Sequence, residues 1–268
     1  MKNLVEENTS SEVFIKKFIG SQEFIRGEEK YCLWIEDINL ENAKSIVGIR
    51  NRIKLCENNR LSSNREATRV LAKYPHKFGE IRFENTNSII IPRVSSEKRE
   101  YLTVGFLDTS YVISDRANAI YDCEPWVFSL ISSKIHTTWI RSVCGRLKMD
   151  INYSTTLGYN TFPLPPLSKS QKEELERHVY RILEEREAHS EKTLAQLYDP
   201  DKMPDGLREA HRQNDLAVER IYRSKPFESD EERLAYLFKL YEQMIAEEKA
   251  RAGELNFEKV EIKKKRKT

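Results

Sequence analysis

Tyr159-Asn-Thr-Phe-Pro-Leu-Pro-Pro-Leu-Ser168 divides this 268-residue chain. Pro163, Pro165 and Pro166 can neither continue a helix nor sit in a central strand, so the stretch reads as an extended connector. The two sides of it carry different periodicities. Downstream, three helical stripes follow one another: Leu175, Val179, Ile182 and Leu183 from about Ser170; Leu207, Ala210, Val218 and Ile221 from about Pro204; and Leu234, Leu237, Phe238, Tyr241 and Ile245 after Ser229-Asp-Glu-Glu232. That last tetrapeptide has the spacing of a capping box. Between the first two, Asp199-Pro-Asp-Lys-Met-Pro-Asp-Gly206 is a turn-rich loop.

Upstream the reading is mixed. Leu40 to Leu55 has apolar residues at 40, 43, 46, 47 and 53, roughly one helical face. Ser63-Asn-Arg-Glu66 has capping-box spacing and predicts a short helix through Val70 and Leu71, closed by Pro75. Ser88–Val94, Tyr101–Leu107 and Tyr111–Ser114 read as strands. Pro125 predicts the first turn of another helix, with Phe128, Ile131, Ile135, Trp139 and Val143 as its stripe, ending near Gly145. The fold class is therefore α+β: a mixed α/β domain over 15–167, then an all-α helical domain over 168–250. Residues 1–14 read as a disordered N-terminus. Residues 251–268 read as a frayed basic tail ending in Lys263-Lys-Lys-Arg-Lys267.

Charge divides at the same place. Net charge is +2 overall, but −3 over residues 1–40, +6 over 41–160, −5 over 161–255 and +4 over 256–268. Such asymmetry suggests that one half meets a polyanion and the other does not. No run reaches the ~18 apolar residues a membrane span needs, and the first residues do not read as a signal peptide. The four scattered cysteines (Cys32, Cys56, Cys123, Cys144) form no metal spacing and suit a reducing compartment, so the expected location is the cytoplasm.

Self-sufficient catalysis is not expected. The nine glycines form no G-x-G, and there is no P-loop, nucleophile elbow or H-E-x-x-H. His136 falls beside an apolar stripe and reads as a structural histidine. Asp199, Asp201 and Asp205 lack the spacing of a calcium loop. No catalytic and no metal-ligating residue is assigned.

Binding chemistry is present instead. Arg50, Arg52, Lys54, Arg60, Arg65 and Arg69 lie within twenty residues, interleaved with Asn51, Asn58, Asn59 and Asn64. Arginine and asparagine pair bidentately with guanine and adenine in the major groove, while lysines suit phosphates. A second cluster is Arg93-Val-Ser-Ser-Glu-Lys-Arg-Glu-Tyr101, offering Arg93, Ser95, Ser96, Lys98 and Arg99. A third, Gly145-Arg-Leu-Lys-Met-Asp-Ile-Asn-Tyr-Ser154, reads as a donor-rich turn with Arg146, Lys148, Tyr153 and Ser154. Each could equally be a solvated surface with local ion pairs.

Gly20-Ser-Gln-Glu-Phe-Ile-Arg-Gly27 with Lys30-Tyr-Cys-Leu-Trp-Ile35 resembles the opening of the target-recognition domain of MmeI-like (type IIL) restriction–modification enzymes. Pro92–Tyr101, Gly145–Asp150 with Tyr153-Ser154, and Tyr159-Asn-Thr-Phe-Pro163 resemble that domain's later motifs, in order. Leu194-Ala-Gln-Leu-Tyr-Asp-Pro200, Met203-Pro204 and Ala210-His211 resemble the helical C-terminal domain that follows it. The resemblance spans about residues 15 to 250 and brings Asn160 into the expected contact set. It implies sequence-specific binding of double-stranded DNA, with a target adenine presented to an adenine-N6 methyltransferase or nuclease. The Asn-Pro-Pro-Tyr/Phe methylation motif is absent, so S-adenosylmethionine and magnesium are expected on catalytic domains outside this chain. A separately encoded methyltransferase or nuclease polypeptide is one expected partner; no membrane is. Two rivals stay open: an RNA-binding protein using the same basic surface, which lacks the aromatic-rich strand common in such proteins, and a helical interaction module that never touches DNA.

Overall fold

A computed structural model describes residues 2–265, with side chains described over 4–251. In chain order it begins α1 (Lys2–Glu7), β1 (Ile15–Ile19), α2 (Ser21–Arg26), β2 (Tyr31–Leu33), α3 (Leu40–Ser45), α4 (Val47–Leu61) and α5 (Glu66–Val70). Then come β3 (Ser88–Pro92), β4 (Val94–Ser95), β5 (Gly105–Leu107), β6 (Tyr111–Ile113) and β7 (Ala117–Tyr121). The rest is α6 (Trp126–Ile131), α7 (Lys134–Val143), β8 (Gly145–Leu147), β9 (Asp150–Asn152), α8 (Lys169–Glu187), α9 (Leu194–Leu197), α10 (Asp205–Tyr222) and α11 (Asp230–Lys265). No helix among the described residues is long and apolar enough to cross a membrane.

Contacts divide the chain into two compact units, and the division is not at the proline connector. One unit is residues 1–90 and 105–123; the other is 91–104 and 124–268. The expected seam at 167 marks where the sequence turns helical. It does not separate two cores, because α6 packs on α8 and α7 on α10 within the second unit.

In the first unit, β1 is central in the sheet β2-β1-β6, antiparallel to β2 and parallel to β6. A second small sheet has the order β5-β3-β7. Leu4, Phe14, Ile35, Ala43, Ile46, Ile49 and Ile53 form one apolar cluster. This overturns the expected disorder of residues 1–14. Leu4 and Phe14 are both buried there, and the segment folds as α1 and a 3-10 turn at Thr9–Phe14. The single helix expected over 40–55 is two helices, parted where Ile46 adopts φ −82°, ψ 113° and remains buried. The capping box expected at Ser63 does not form. The Ser63 hydroxyl accepts from the Arg65 amide at 3.2 Å, and α5 starts at Glu66 without a side-chain cap.

Gly20 and Gly27 bracket α2 for backbone reasons. The Gly20 amide donates to the Glu23 carboxylate at 3.0 Å, and a Cβ at Gly20 would stand 2.6 Å from the Ser114 hydroxyl. Gly27 ends the helix at φ 67°, a left-handed conformation that other residues reach only with strain.

In the second unit, the helix expected after Pro125 is broken by Ser132 and Ser133. The Ser133 hydroxyl accepts from the His136 amide at 3.3 Å and so caps a fresh helix, α7. The expected stripe residues Phe128, Ile131, Ile135 and Trp139 are all buried. α8 opens on a capping box between Ser168 and Gln171, and buries Leu175, Val179 and Ile182. α10 buries Leu207, Ala210 and Val218. α11 starts where Ser229 was expected to cap it; the Ser229 hydroxyl accepts from the Glu232 amide at 3.2 Å. The expected basic tail at 251–268 has its side chains from residue 252 onward outside the described residues, as are residues 266–268 altogether.

Candidate nucleic-acid interface

The sheet β4-β9-β8 joins two sequence clusters that lie some fifty residues apart. Val94 pairs with Asn152 and Ser95 with Ile151, while β8 and β9 form an antiparallel hairpin with Arg146 opposite Ile151 and Leu147 opposite Asp150. Side chains alternate across a strand. Ser95 and Ile151 are buried on one face. Asp150 and Asn152, the neighbours of Ile151, therefore lie on the other. The segment 145–154 was read as a turn; it is a hairpin because Lys148 accepts φ 57° at its tip, a place usually given to glycine. All of β8 is exposed, and Leu147 and Met149 flank Lys148 with 56% and 65% of their surface in water.

Arg141 anchors the hairpin's base. Its guanidinium donates to the Arg99 carbonyl at 2.8 Å and the Glu97 carbonyl at 3.3 Å, and its own carbonyl accepts from Arg146 at 3.4 Å. Arg146 also donates to the Met149 carbonyl at 3.1 Å, which holds the tip. Lys98 and Lys148 are exposed cations beside this framework. Arg93 is exposed as well, and its carbonyl accepts from the Tyr153 amide at 2.8 Å.

Several expected contact residues are placed elsewhere. Ser95 is 3% exposed, so its hydroxyl cannot meet a phosphate. Tyr153 is 2% exposed; its hydroxyl meets His136 Nε2 at 3.2 Å, and burial pushes its ionisation above the ordinary phenol range. His136 is itself buried, with its pKa pushed down to about 3 by desolvation, so it is a neutral core residue at any working pH. The Ser154 hydroxyl caps the π-helical turn at Thr155–Tyr159, accepting from Leu157 at 3.2 Å. Ser96 accepts from the Lys98 amide at 3.4 Å. Burial lowers the pKa of Arg99, which faces Asp150 and Asp199. Asn160 lies exposed just after the π-helical turn.

The basic run belongs to the first unit. Arg50, Arg52 and Lys54 are exposed on α4, and Arg65 and Arg69 are exposed around α5. Arg52 donates to the Gly48 carbonyl at 3.0 Å, Lys54 pairs with Glu57 at 2.8 Å, and Arg69 donates to the Ser63 carbonyl at 2.9 Å. Arg50 reaches the Lys44 carbonyl at 3.4 Å. Arg60 differs from its neighbours. Its guanidinium donates to the carbonyls of Leu71, Tyr74 and Lys77 at 2.9, 2.8 and 2.6 Å, gathering the end of the 3-10 turn Leu71–Lys73. It is a structural clamp with little left to offer a ligand. Sequence reasoning missed Asn152 and Asp150; only the register of the hairpin reveals that they share a face.

Among the described residues no group of three histidine, cysteine or acidic side chains could hold a metal ion. Known proteins fit the same framework. The family model described as "MmeI, target recognition domain" matches residues 1–166, and "MmeI, C-terminal domain" matches 167–247. DNA methyltransferase A of Bacillus subtilis (strain 168) is 45% identical over 231 residues, covering 86% of this chain and 26% of that protein. The type IIL restriction–modification enzyme MmeI, solved in complex with DNA, superposes with a TM-score of 0.86 at 34% identity, covering 91% of this chain and 33% of that one. The chain thus spans about a quarter to a third of these relatives. It belongs to the MmeI family, with the target recognition domain followed by the C-terminal domain.

Proposed function

We infer that this chain is the duplex-reading part of an adenine-modifying restriction–modification system. It binds double-stranded DNA at a chosen sequence and holds a target adenine for chemistry done by a catalytic domain or polypeptide beyond the residues described above. The observation that carries this is the β4-β9-β8 sheet, which brings the clusters at 93–99 and 145–154 together, with the exposed strand β8 at its edge, within the target recognition domain. A two-stranded ribbon fits the width of the major groove. Arg93, Lys98 and Lys148 supply positive charge there, and Asp150 and Asn152 supply acceptor and amide groups on one face. That a relative 34% identical was solved in complex with DNA supports the same reading. The basic faces of α4 and α5 add phosphate contacts that raise affinity without reading sequence. S-adenosylmethionine and magnesium belong to the catalytic part, and the base is flipped there.

The test is selection from a random duplex pool with the purified chain, followed by fluorescence titration of the winner and a scrambled duplex at several salt concentrations. An enriched site, bound more tightly than the scrambled duplex and with a steep salt dependence, is expected. Equal affinity for all duplexes, or preference for RNA in competition, would overturn the reading. Transfer of labelled methyl groups to DNA by the chain alone would refute the assignment of chemistry elsewhere.

A further inference from the structure

Gly145 is a glycine that the folded chain does not itself require. It lies in β8, the exposed edge strand of the β4-β9-β8 sheet. Its backbone is not left-handed; Gly27 is the glycine with positive φ among the described residues. Packing does not demand it either, since a Cβ built there would meet nothing within 4 Å. At Gly20, Gly105 and Gly158 the same Cβ would stand 2.6, 2.5 and 2.9 Å from a neighbouring side chain. Gly145 keeps regular antiparallel register with Asn152, so it marks no bulge. A glycine in a strand weakens it, and the use that remains is close approach by something from outside.

Register shows what surrounds that opening. Gly145 lies opposite Asn152 and Leu147 opposite Asp150, and cross-strand partners share a face. Ile151, between the two on β9, is buried and faces inward. The outward face of the hairpin therefore carries Asn152 beside an empty Cβ position, with Leu147 and Asp150 one step further along. The tip is held, because Arg146 donates to the Met149 and Arg141 carbonyls.

Leu147 is exposed on this face. A lone exposed leucine is ordinary, but this one has a fixed place beside an amide and a carboxylate suited to base edges. Among the donors and acceptors of the major groove stands one apolar group, the C5-methyl of thymine. An aliphatic side chain gains by covering that methyl, whereas covering any other base-edge group would leave a polar atom without a partner.

We propose that Leu147 reads the C5-methyl group of a thymine in the major groove, beside the base that Asn152 meets, and that the bare backbone at Gly145 lets the base edges close on this face. The proposal rests on the reading of the hairpin as a duplex-reading surface, and adds which chemical feature of the site it selects.

The test uses the full chain and the duplex enriched by selection. Each thymine of that duplex is replaced singly by deoxyuridine, which removes one methyl group and keeps the base pair. One replacement should weaken wild-type binding about fourfold, the weight of one buried methyl group. The salt slope should not change, because no phosphate contact is lost. In L147A that same replacement should have no effect, while the others act as in wild type. G145A should keep the wild-type melting temperature and affinity for a scrambled duplex, yet bind the enriched duplex about tenfold more weakly.

An enriched site without thymine, or one indifferent to every deoxyuridine, overturns the proposal. So does a methyl effect that survives in L147A, or that M149A removes instead. A G145A variant that binds both duplexes as wild type does, or that melts at a lower temperature, makes the glycine idle or structural and overturns it as well. A chain that selects no duplex fails the DNA reading itself; one that selects a duplex but ignores the methyl sinks this proposal alone.

Discussion

The Arg60 guanidinium donates to the backbone carbonyl of Tyr74 at 2.8 Å, fourteen residues further along the chain. With the bonds to Leu71 and Lys77, this fixes how α4 meets the turn that follows α5. Hydrogen bonds from a charged donor contribute more than neutral ones, so Arg60→Ala should destabilise the first unit by about 2 kcal/mol. Arg52→Ala and Arg65→Ala, at exposed sites, should change stability by less than about 0.5 kcal/mol. Urea unfolding of the three variants checks the contrast; equal midpoints would remove Arg60 from its structural role.

Asp215 gives the fold a pH dependence. It is buried on α10, accepting from the Tyr101 hydroxyl at 2.9 Å and the Lys134 amide at 2.7 Å. Both donors favour the carboxylate, but desolvation outweighs them and its pKa is pushed up to about 7. A carboxyl raised in the folded state binds its proton more tightly there than in the unfolded chain, where its pKa is about 4. Its contribution is therefore complete below about pH 4 and lost as pH rises to about 7, by a few kcal/mol in all. A side-chain amide at this position mimics the neutral acid, so Asp215→Asn should flatten this part of the stability curve. Unfolding midpoints measured from pH 4 to pH 8 decide it; parallel curves for the two proteins would show that Asp215 does not titrate there.

Tyr153 separates packing from binding. Tyr153→Phe removes a buried hydroxyl from His136 and should cost about 1 kcal/mol of stability while leaving duplex affinity unchanged. A tenfold loss of affinity in a variant with the wild-type melting temperature would return Tyr153 to the interface.

Beside and on the hairpin, Lys98→Ala and Lys148→Ala should weaken binding to all duplexes alike, each lowering the salt slope by about one. Asn152→Ala should instead cost roughly 1–3 kcal/mol on the preferred duplex and little on a scrambled one. Titrations at several salt concentrations separate the two behaviours. A uniform loss for Asn152→Ala would make it a backbone contact.

Removing 168–268 should unfold the second unit. Phe128 and Trp139 are buried. α6 lies on α8, and the Trp139 ring packs 5.1 Å from Phe238 and 5.7 Å from Tyr241 of α11. The truncated chain should lose near-ultraviolet dichroism and aggregate. A monomeric 1–167 fragment with wild-type duplex affinity would show that the hairpin needs no helical support.

The helical half was legible because its stripes run for four or more turns: α8 begins within two residues of the expected Ser170, capped by Ser168, and Ser229 before α11 does what its spacing promised. The first half was harder for a physical reason. β2, β5, β6, β8 and β9 are three residues each, too short for alternation to stand out. The Ser132-Ser133 break went unread because the apolar stripe continues through it and only hydroxyl capping divides it. Among candidate contacts, composition found the clusters but not their inward members. Ser95 and Tyr153 are buried with Ile151 on the inner face of the sheet, whereas Lys98 and Lys148 lie outside the strands and are exposed. Arg60 looks like its neighbours in sequence; what sets it apart is three carbonyls from a later turn.

Tyr101 and Asp215 also set a clock on synthesis. They are 114 residues apart, so at roughly 5–20 residues per second the ribosome releases the hydroxyl about 6–23 s before the carboxylate that receives it. The segment 91–104, with Ile91, Leu102 and Val104 all buried in the finished fold, therefore waits uncovered while the helices are still being made. Nascent chains that stall within that interval hold this apolar segment in its least protected form, and are the ones a cell's chaperones and proteases would meet first.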